Sequence, residues 1–159
     1  MSTVKLYVKH NAEIAHRLSM LPGKCQQIHG HSLQVELWLM GPTDDNGIMG
    51  GLDFGVIKKK FRSWIDQHYD HRLLLNVNDP LLRQCFDFWT HGNESFTISL
   101  DEKIDIFQKF YPGLLMTSGD PNVENLTKTI FGWASEIYSP LHVRVNVQET
   151  NSNGAECGF

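Results

Sequence analysis

Three histidines and one cysteine fall between positions 16 and 31: His16, Cys25, His29 and His31. Neutral imidazole is a common zinc ligand, and three of them with an open fourth position describe a catalytic site rather than a closed structural one. Zinc suits imidazole, needs no redox change and acts as a Lewis acid. A lone His-x-His pair is weak evidence for a metal, and the third histidine strengthens it. Cys25 lies four residues before His29, and three roles fit it. It is an incidental thiol, a fourth ligand that closes the site, or a base or nucleophile whose pKa a nearby cation lowers. Lys24 stands next to it.

Two further groups carry chemistry. In Tyr69-Asp70-His71-Arg72 an aspartate adjoins a histidine. Such a pair orients an imidazole for proton transfer, or is simply a polar helix end. Glu149 shares the parity of Val143, Val145 and Val147, so a carboxylate ends an apolar strand face. A buried carboxylate is costly unless paired. A ligand edge with adjacent N–H donors, as in a guanidine-like heterocycle, would pair it; the alternative is a strand-end carboxylate turned to water.

The elements must bring these groups together. Lys5 to His16 alternates, with Leu6, Val8, Ala12, Ile14 and His16 on one parity; His29 to Met40 alternates too, with His29 and His31 sharing the parity of Leu33, Val35, Leu37 and Leu39. Period two predicts strands with one buried face, so all three imidazoles point inward if the strands pair. Gly30 leaves room for close backbone approach. Asp53 caps a predicted helix to about His68, with an apolar stripe of Val56, Ile57, Phe61, Trp64 and Ile65. Asn122 caps a second, with Val123, Leu126, Ile130, Trp133 and Ile137 buried, and Pro140 stops it. A last strand runs through Val143, Val145 and Val147. Leu100 to Phe110 reads as a short helix ended by Pro112-Gly113. The order strand, strand, helix, helix, strand predicts an α+β fold, an antiparallel sheet with two helices on one face. It is expected as a single domain over residues 1–159, with an insertion at about 78–119.

The chain has 159 residues, 41% of them hydrophobic and 20% charged, enough for one globular core. A net charge of -4 argues against a general nucleic-acid binder, which needs a broad basic surface. Cys25, Cys85 and Cys157 are too few for a disulfide framework, which points to a reducing compartment. Residues 1–9 carry no signal-like apolar run, and no stretch approaches the roughly 18 apolar residues of a membrane span. A soluble, cytoplasmic protein without membrane or nucleic-acid partners is expected.

Together these residues resemble the family of 6-pyruvoyltetrahydropterin and 6-carboxytetrahydropterin synthases. The matching pieces are Ala15-His16-Arg17-Leu18, Cys25 through His31, Gly51-Leu52-Asp53-Phe54, Tyr69-Asp70-His71 with Leu75-Asn76, Glu124-Asn125-Leu126, and Glu149-Thr150. The resemblance implies a tunnelling fold, an antiparallel four-stranded sheet with two helices on one face, whose sheets join between subunits into a barrel, in a homohexamer built as a dimer of trimers with active sites at the interfaces. It implies Zn2+ on His16, His29 and His31, Cys25 as the proton-abstracting thiolate, Asp70 and His71 as a proton relay from across the interface, and Glu149 as anchor of the pterin ring. Three residues between Cys25 and His29 are similar to the carboxy-forming branch of queuosine (7-deazaguanine) biosynthesis, which acts on 7,8-dihydroneopterin triphosphate. The pyruvoyl-forming branch, a zinc hydrolase and a non-catalytic pterin binder are the competing readings. Ala12 and Asn122 depart from the family's usual Phe and Thr. The resemblance does not place the triphosphate; Arg17, Lys24 and Lys58 are cations expected to be solvated.

Overall fold

The structure, a computed structural model, describes residues 3–89 and 99–159. The chain divides into two compact units.

The first unit comprises Met1–Ile14, Gly30–His71 and Asn122–Phe159. It holds most of strands β1 (Thr3–His16) and β2 (His29–Pro42), helix α1 (Phe54–His68), helix α4 (Val123–Ile137), and strands β5 (His142–Thr150) and β6 (Asn153–Gly158). The alternation in β2 is real burial: Leu33, Val35, Leu37 and Leu39 are at most 1% exposed. β5 pairs antiparallel with β2 so that Val35, Leu37 and Leu39 face Val147, Val145 and Val143. Opposed β-branched and Leu side chains on one face stabilise that register. β6 pairs antiparallel with β5.

Both expected caps are present. The Asp53 carboxylate accepts from the Gly55 and Val56 amides at 2.7 and 3.3 Å, and Asn122 Oδ1 accepts from the Asn125 amide at 2.9 Å. Each satisfies amides that the first helical turn leaves without intrahelical acceptors. α1 buries Ile57, Phe61 and Ile65, a one-sided i, i+4, i+8 stripe. α4 buries Val123, Leu126, Ile130 and Ala134 and lies against β5 and β6. Trp64 of α1 stacks on Trp133 of α4 with centroids 4.4 Å apart.

The second unit comprises Ala15–His29 and Arg72–Pro121. It contains a 3-10 turn (Lys24–Gln26), strand β3 (Arg72–Asn76), helix α2 (Pro80–Trp89), helix α3 (Leu100–Phe110) and strand β4 (Leu114–Thr117). α3 matches the expected short helix. Ser99 and Glu102 close a capping box at its start, each side chain accepting from the other's amide. β3 and β4 run parallel, Leu73 opposite Leu114 and Leu75 opposite Met116, over a small core of Leu75, Leu82 and Leu114.

The sheet therefore departs from the expected antiparallel four strands. Among the described residues it has six, in the order β4-β3-β1-β2-β5-β6, and is mixed. A parallel pair needs a long crossover, and the chain between β3 and β4 provides it. Both strands are continuous apolar runs, which carry no period-two signature. Among the described residues no helix is long and apolar enough to cross a membrane.

At Gly30, β2 passes close to the backbone of β1. A Cβ built there would lie 2.9 Å from the Ile14 carbonyl oxygen, a backbone atom with little freedom to move. Gly30→Ala is expected to cost about 1–3 kcal/mol, the usual range for overpacking, measured as a lower midpoint in urea unfolding.

Candidate metal centre and active site

His16 closes β1 and His29 and His31 open β2, so strand pairing delivers all three. His16 is buried at 1% exposure, and the other two are half-buried. One ring nitrogen from each falls within a group whose members all lie within 4.8 Å of one another. The His16 and His29 rings have centroids 4.6 Å apart. His16 Nδ1 donates to the Pro121 carbonyl at 2.7 Å, and His29 Nδ1 donates to the Gln27 carbonyl at 2.8 Å. A carbonyl only accepts, so each Nδ1 carries its proton and each neutral ring keeps its lone pair on Nε2. That is the tautomer a metal ligand needs, set by the bond the other nitrogen makes. The trio is thus positioned for a metal ion, as the strand parity predicted.

Cys25 lies on the 3-10 turn between the two strands, and its residue is exposed. It is not a member of the metal-competent group, which among the described residues consists of histidines alone. The Leu18 amide donates to the Cys25 carbonyl at 2.8 Å and fixes the turn to the chain leaving β1.

Asp70 and His71 follow α1. His71 Nδ1 donates to Asp70 Oδ2 at 2.8 Å. Asp70 Oδ1 accepts from the Glu13 amide at 2.8 Å, and the His71 amide donates to the Glu13 carbonyl at 2.7 Å. These bonds hold His71 at φ 57, a left-handed conformation uncommon outside glycine and the small polar residues. The imidazole stands out, 79% exposed, with Nδ1 turned to the carboxylate. Tyr69 is buried, which pushes its phenol up to about 12 and keeps it neutral.

Glu149 is half-buried near the end of β5. A register shift between Gln148 and Thr150 interrupts the ladder there. Such irregularities re-aim side chains next to functional sites. Asn153 Nδ2 donates to Glu149 Oε2 at 3.4 Å, so the carboxylate is neither a plain solvated strand end nor fully enclosed.

The model of the 6-pyruvoyl tetrahydropterin synthase family matches residues 5–158. The chain belongs to that family. A 6-carboxy-5,6,7,8-tetrahydropterin synthase of Rickettsia bellii is 30% identical over 108 residues, which cover 62% of this chain and 77% of that protein. Among solved structures, an uncharacterized protein of Wolinella succinogenes superposes with a TM-score of 0.76 at 17% identity, covering 99% of both chains. A 6-pyruvoyltetrahydropterin synthase of Plasmodium vivax, in a form with a catalytic glutamate replaced by cysteine, gives 0.68 at 20% identity, covering 100% of this chain and 99% of that one. These structures share the fold.

Within this family frame, sequence reasoning missed the supports of the site. Arg17 is not a solvated cation: its Nε lies 3.1 Å from Asp79 Oδ2, and the Asp79 side chain is fully buried. Asp79 also caps α2 through the Leu81 amide at 2.8 Å. Lys58 lies over the Phe54 ring, and Lys24 is exposed. Asp120, 8% exposed, accepts from Ser19 Oγ at 2.7 Å, the Met20 amide at 2.7 Å and Asn76 Nδ2 at 3.1 Å. Burial pushes its carboxyl up, and these hydrogen bonds outweigh that and hold it below the usual value. Asp79-Pro80, a cap followed by a first-turn proline, was the available signal for α2. The Gly119-Asp120-Pro121 stretch signals only a turn.

The Asp70 carboxyl is held below its ordinary 3.8, chiefly by the Glu13 amide, against burial and with help from His71. A depressed folded value stabilises above the unfolded pKa and is lost as pH falls through the folded one. Stability should therefore decline below about pH 3.8, and Asp70→Asn should flatten that decline. Urea unfolding across an acid pH series measures it.

Proposed function

We propose that this chain is a zinc-dependent lyase that converts 7,8-dihydroneopterin triphosphate and water to 6-carboxy-5,6,7,8-tetrahydropterin, acetaldehyde and triphosphate, a step of queuosine (7-deazaguanine) biosynthesis. The observation that carries this reading is the cluster of three imidazoles with Cys25 four residues ahead of His29. The relatives named 6-carboxy-5,6,7,8-tetrahydropterin synthase, in Rickettsia bellii and Rickettsia felis, support the carboxy-forming product.

The donor set fits zinc. Two of the three rings are held with Nδ1 protonated, leaving neutral imidazole nitrogens of the type zinc prefers. Zinc bound there supplies a Lewis acid toward the hydroxyls of the substrate side chain. Cys25 Sγ takes a proton from that side chain. His71 Nε2 carries protons on and off the intermediate, while Asp70 Oδ2 holds Nδ1 and stabilises the imidazolium. Glu149 accepts the paired N–H donors of the pterin ring. Triphosphate leaves, and hydrolytic cleavage of the side chain leaves one carbon on the ring as carboxylate and two as acetaldehyde.

We read the protein as cytoplasmic and as a homohexamer of two stacked trimers, its sheets joined into a barrel and its relay dyad serving a neighbouring subunit. Residues 78–119 are read as an insertion within one domain. A second reading, formation of 6-pyruvoyltetrahydropterin, is favoured by the family as a whole, whose model carries that name. It shares the same zinc site and stops before the carbon–carbon cleavage.

Mass spectrometry of the products separates the two. Incubation with 7,8-dihydroneopterin triphosphate and zinc should yield acetaldehyde and the carboxylated pterin; clean 6-pyruvoyltetrahydropterin would support the sister activity. Ester turnover without pterin binding would support a hydrolase, and tight pterin binding without product a binding protein. Cys25→Ala should retain zinc and lose about 100-fold or more in rate, the scale of a missing general base.

A further inference from the structure

We infer that Asp120 is a positioning residue for the metal centre, acting on His16 through the Pro121 carbonyl and on the Cys25 turn through Ser19 and Met20. The inference rests on reading the three histidines as a metal site.

His16 contributes the most buried of the three rings, and the carbonyl that fixes its tautomer belongs to Pro121. Proline fixes φ at its own position and favours an extended conformation at the residue before it, but neither restraint ties the segment to the rest of the chain. Asp120 supplies that tie. Its two oxygens take hydrogen bonds from two directions: Oδ1 from Ser19 Oγ and Asn76 Nδ2, Oδ2 from the Met20 amide. Ser19 and Met20 leave β1 three and four residues after His16, and Asn76 ends β3. One carboxylate thus ties the chain leaving the His16 strand to the segment that carries the His16 acceptor.

The same carboxylate reaches toward Cys25. Ser19 and Met20 directly follow Leu18, whose amide donates to the Cys25 carbonyl at 2.8 Å. Leu18 itself is 7% exposed. Charge-assisted bonds to a largely buried carboxylate are stronger than neutral ones, and the unpaired partners left by its removal are costly. Loss of Asp120 would release Ser19, Met20 and Asn76 at once. The His16 acceptor and the Cys25 turn would loosen together, although neither touches Asp120.

The test compares wild type with Asp120→Ala, Asp120→Asn and Ser19→Ala. Long-range 1H–15N NMR of the metal-free proteins, at a pH where the imidazoles are neutral, reads the His16 tautomer. Wild type should show Nδ1–H alone, and Asp120→Ala a mixture with Nε2–H. Zinc affinity by chelator competition should fall about 10- to 100-fold, the usual effect of losing a partner that orients a ligand. Leu18 amide exchange should accelerate. Asp120→Asn, which keeps an acceptor oxygen, should recover part of each, and Ser19→Ala should show a smaller loss.

A core variant of matched melting temperature, Ile130→Val, controls for stability and should leave tautomer and affinity unchanged. If Asp120→Ala does not fold, the Asn and Ser19 variants decide. Wild-type tautomer and affinity in the folded Asp120 variants, or in both of those milder ones, would overturn the inference. Failure of wild type to bind zinc would instead overturn the metal reading, and the metal-free tautomer would still decide the role of Asp120.

Discussion

An imidazole has two nitrogens, and a metal can use one only if the other is occupied in the right way. At His16 and His29 a backbone carbonyl occupies Nδ1. Carbonyls act only as acceptors, so a proton stays on Nδ1 wherever these bonds are kept. The rest of the site depends on it. The strands bring three rings together, but the carbonyls of Pro121 and Gln27 decide which nitrogen faces the cluster. Gly30 serves the same end by letting β2 approach Ile14 closely.

The histidines and the dyad are stabilised by different means. The trio is delivered by strand pairing, with His16 buried and His29 and His31 half-buried. Asp70 and His71 are held by backbone bonds to Glu13, and one of them in an uncommon conformation. Local strain of this kind persists where surrounding contacts over-determine it, and it concentrates at functional positions. A general acid–base group gains from such placement: the carboxylate fixes one nitrogen while the other remains accessible to a proton donor or acceptor.

The parts that were legible in the sequence are those with a strong period or a side-chain cap. β2, α1 and α4 announced themselves through Leu33 to Leu39, Asp53 and Asn122, and the parity of His16, His29 and His31 placed them on the buried side. β3 and β4 escaped because Leu73-Leu74-Leu75 and Leu114-Leu115-Met116 are apolar on both faces. β6 escaped because Asn153 to Gly158 is polar and glycine-rich, and only its partner β5 makes it a strand. The supports of the site were least legible. A carbonyl such as that of Pro121 has no side-chain signature, and Arg17 and Asp79 are 62 positions apart in sequence and 3.1 Å apart in space.

That last pair bears on how such a chain can change over generations. Asp79 and Asp120 stand near the two ends of the segment 78–119, one ion-paired with Arg17, the residue after His16, and the other hydrogen-bonded to Ser19 and Met20. The roots of the segment are thus tied to the strand that carries His16, and the donor set found among the described residues lies outside the stretch between them. Between the roots, Leu82 and Leu114 pack with Leu75, and β4 pairs with β3, so the stretch also carries a small core of its own. Drift at either root is felt at His16. In this chain the outer segment can change only where it leaves those two aspartates, and the small core between them, in place.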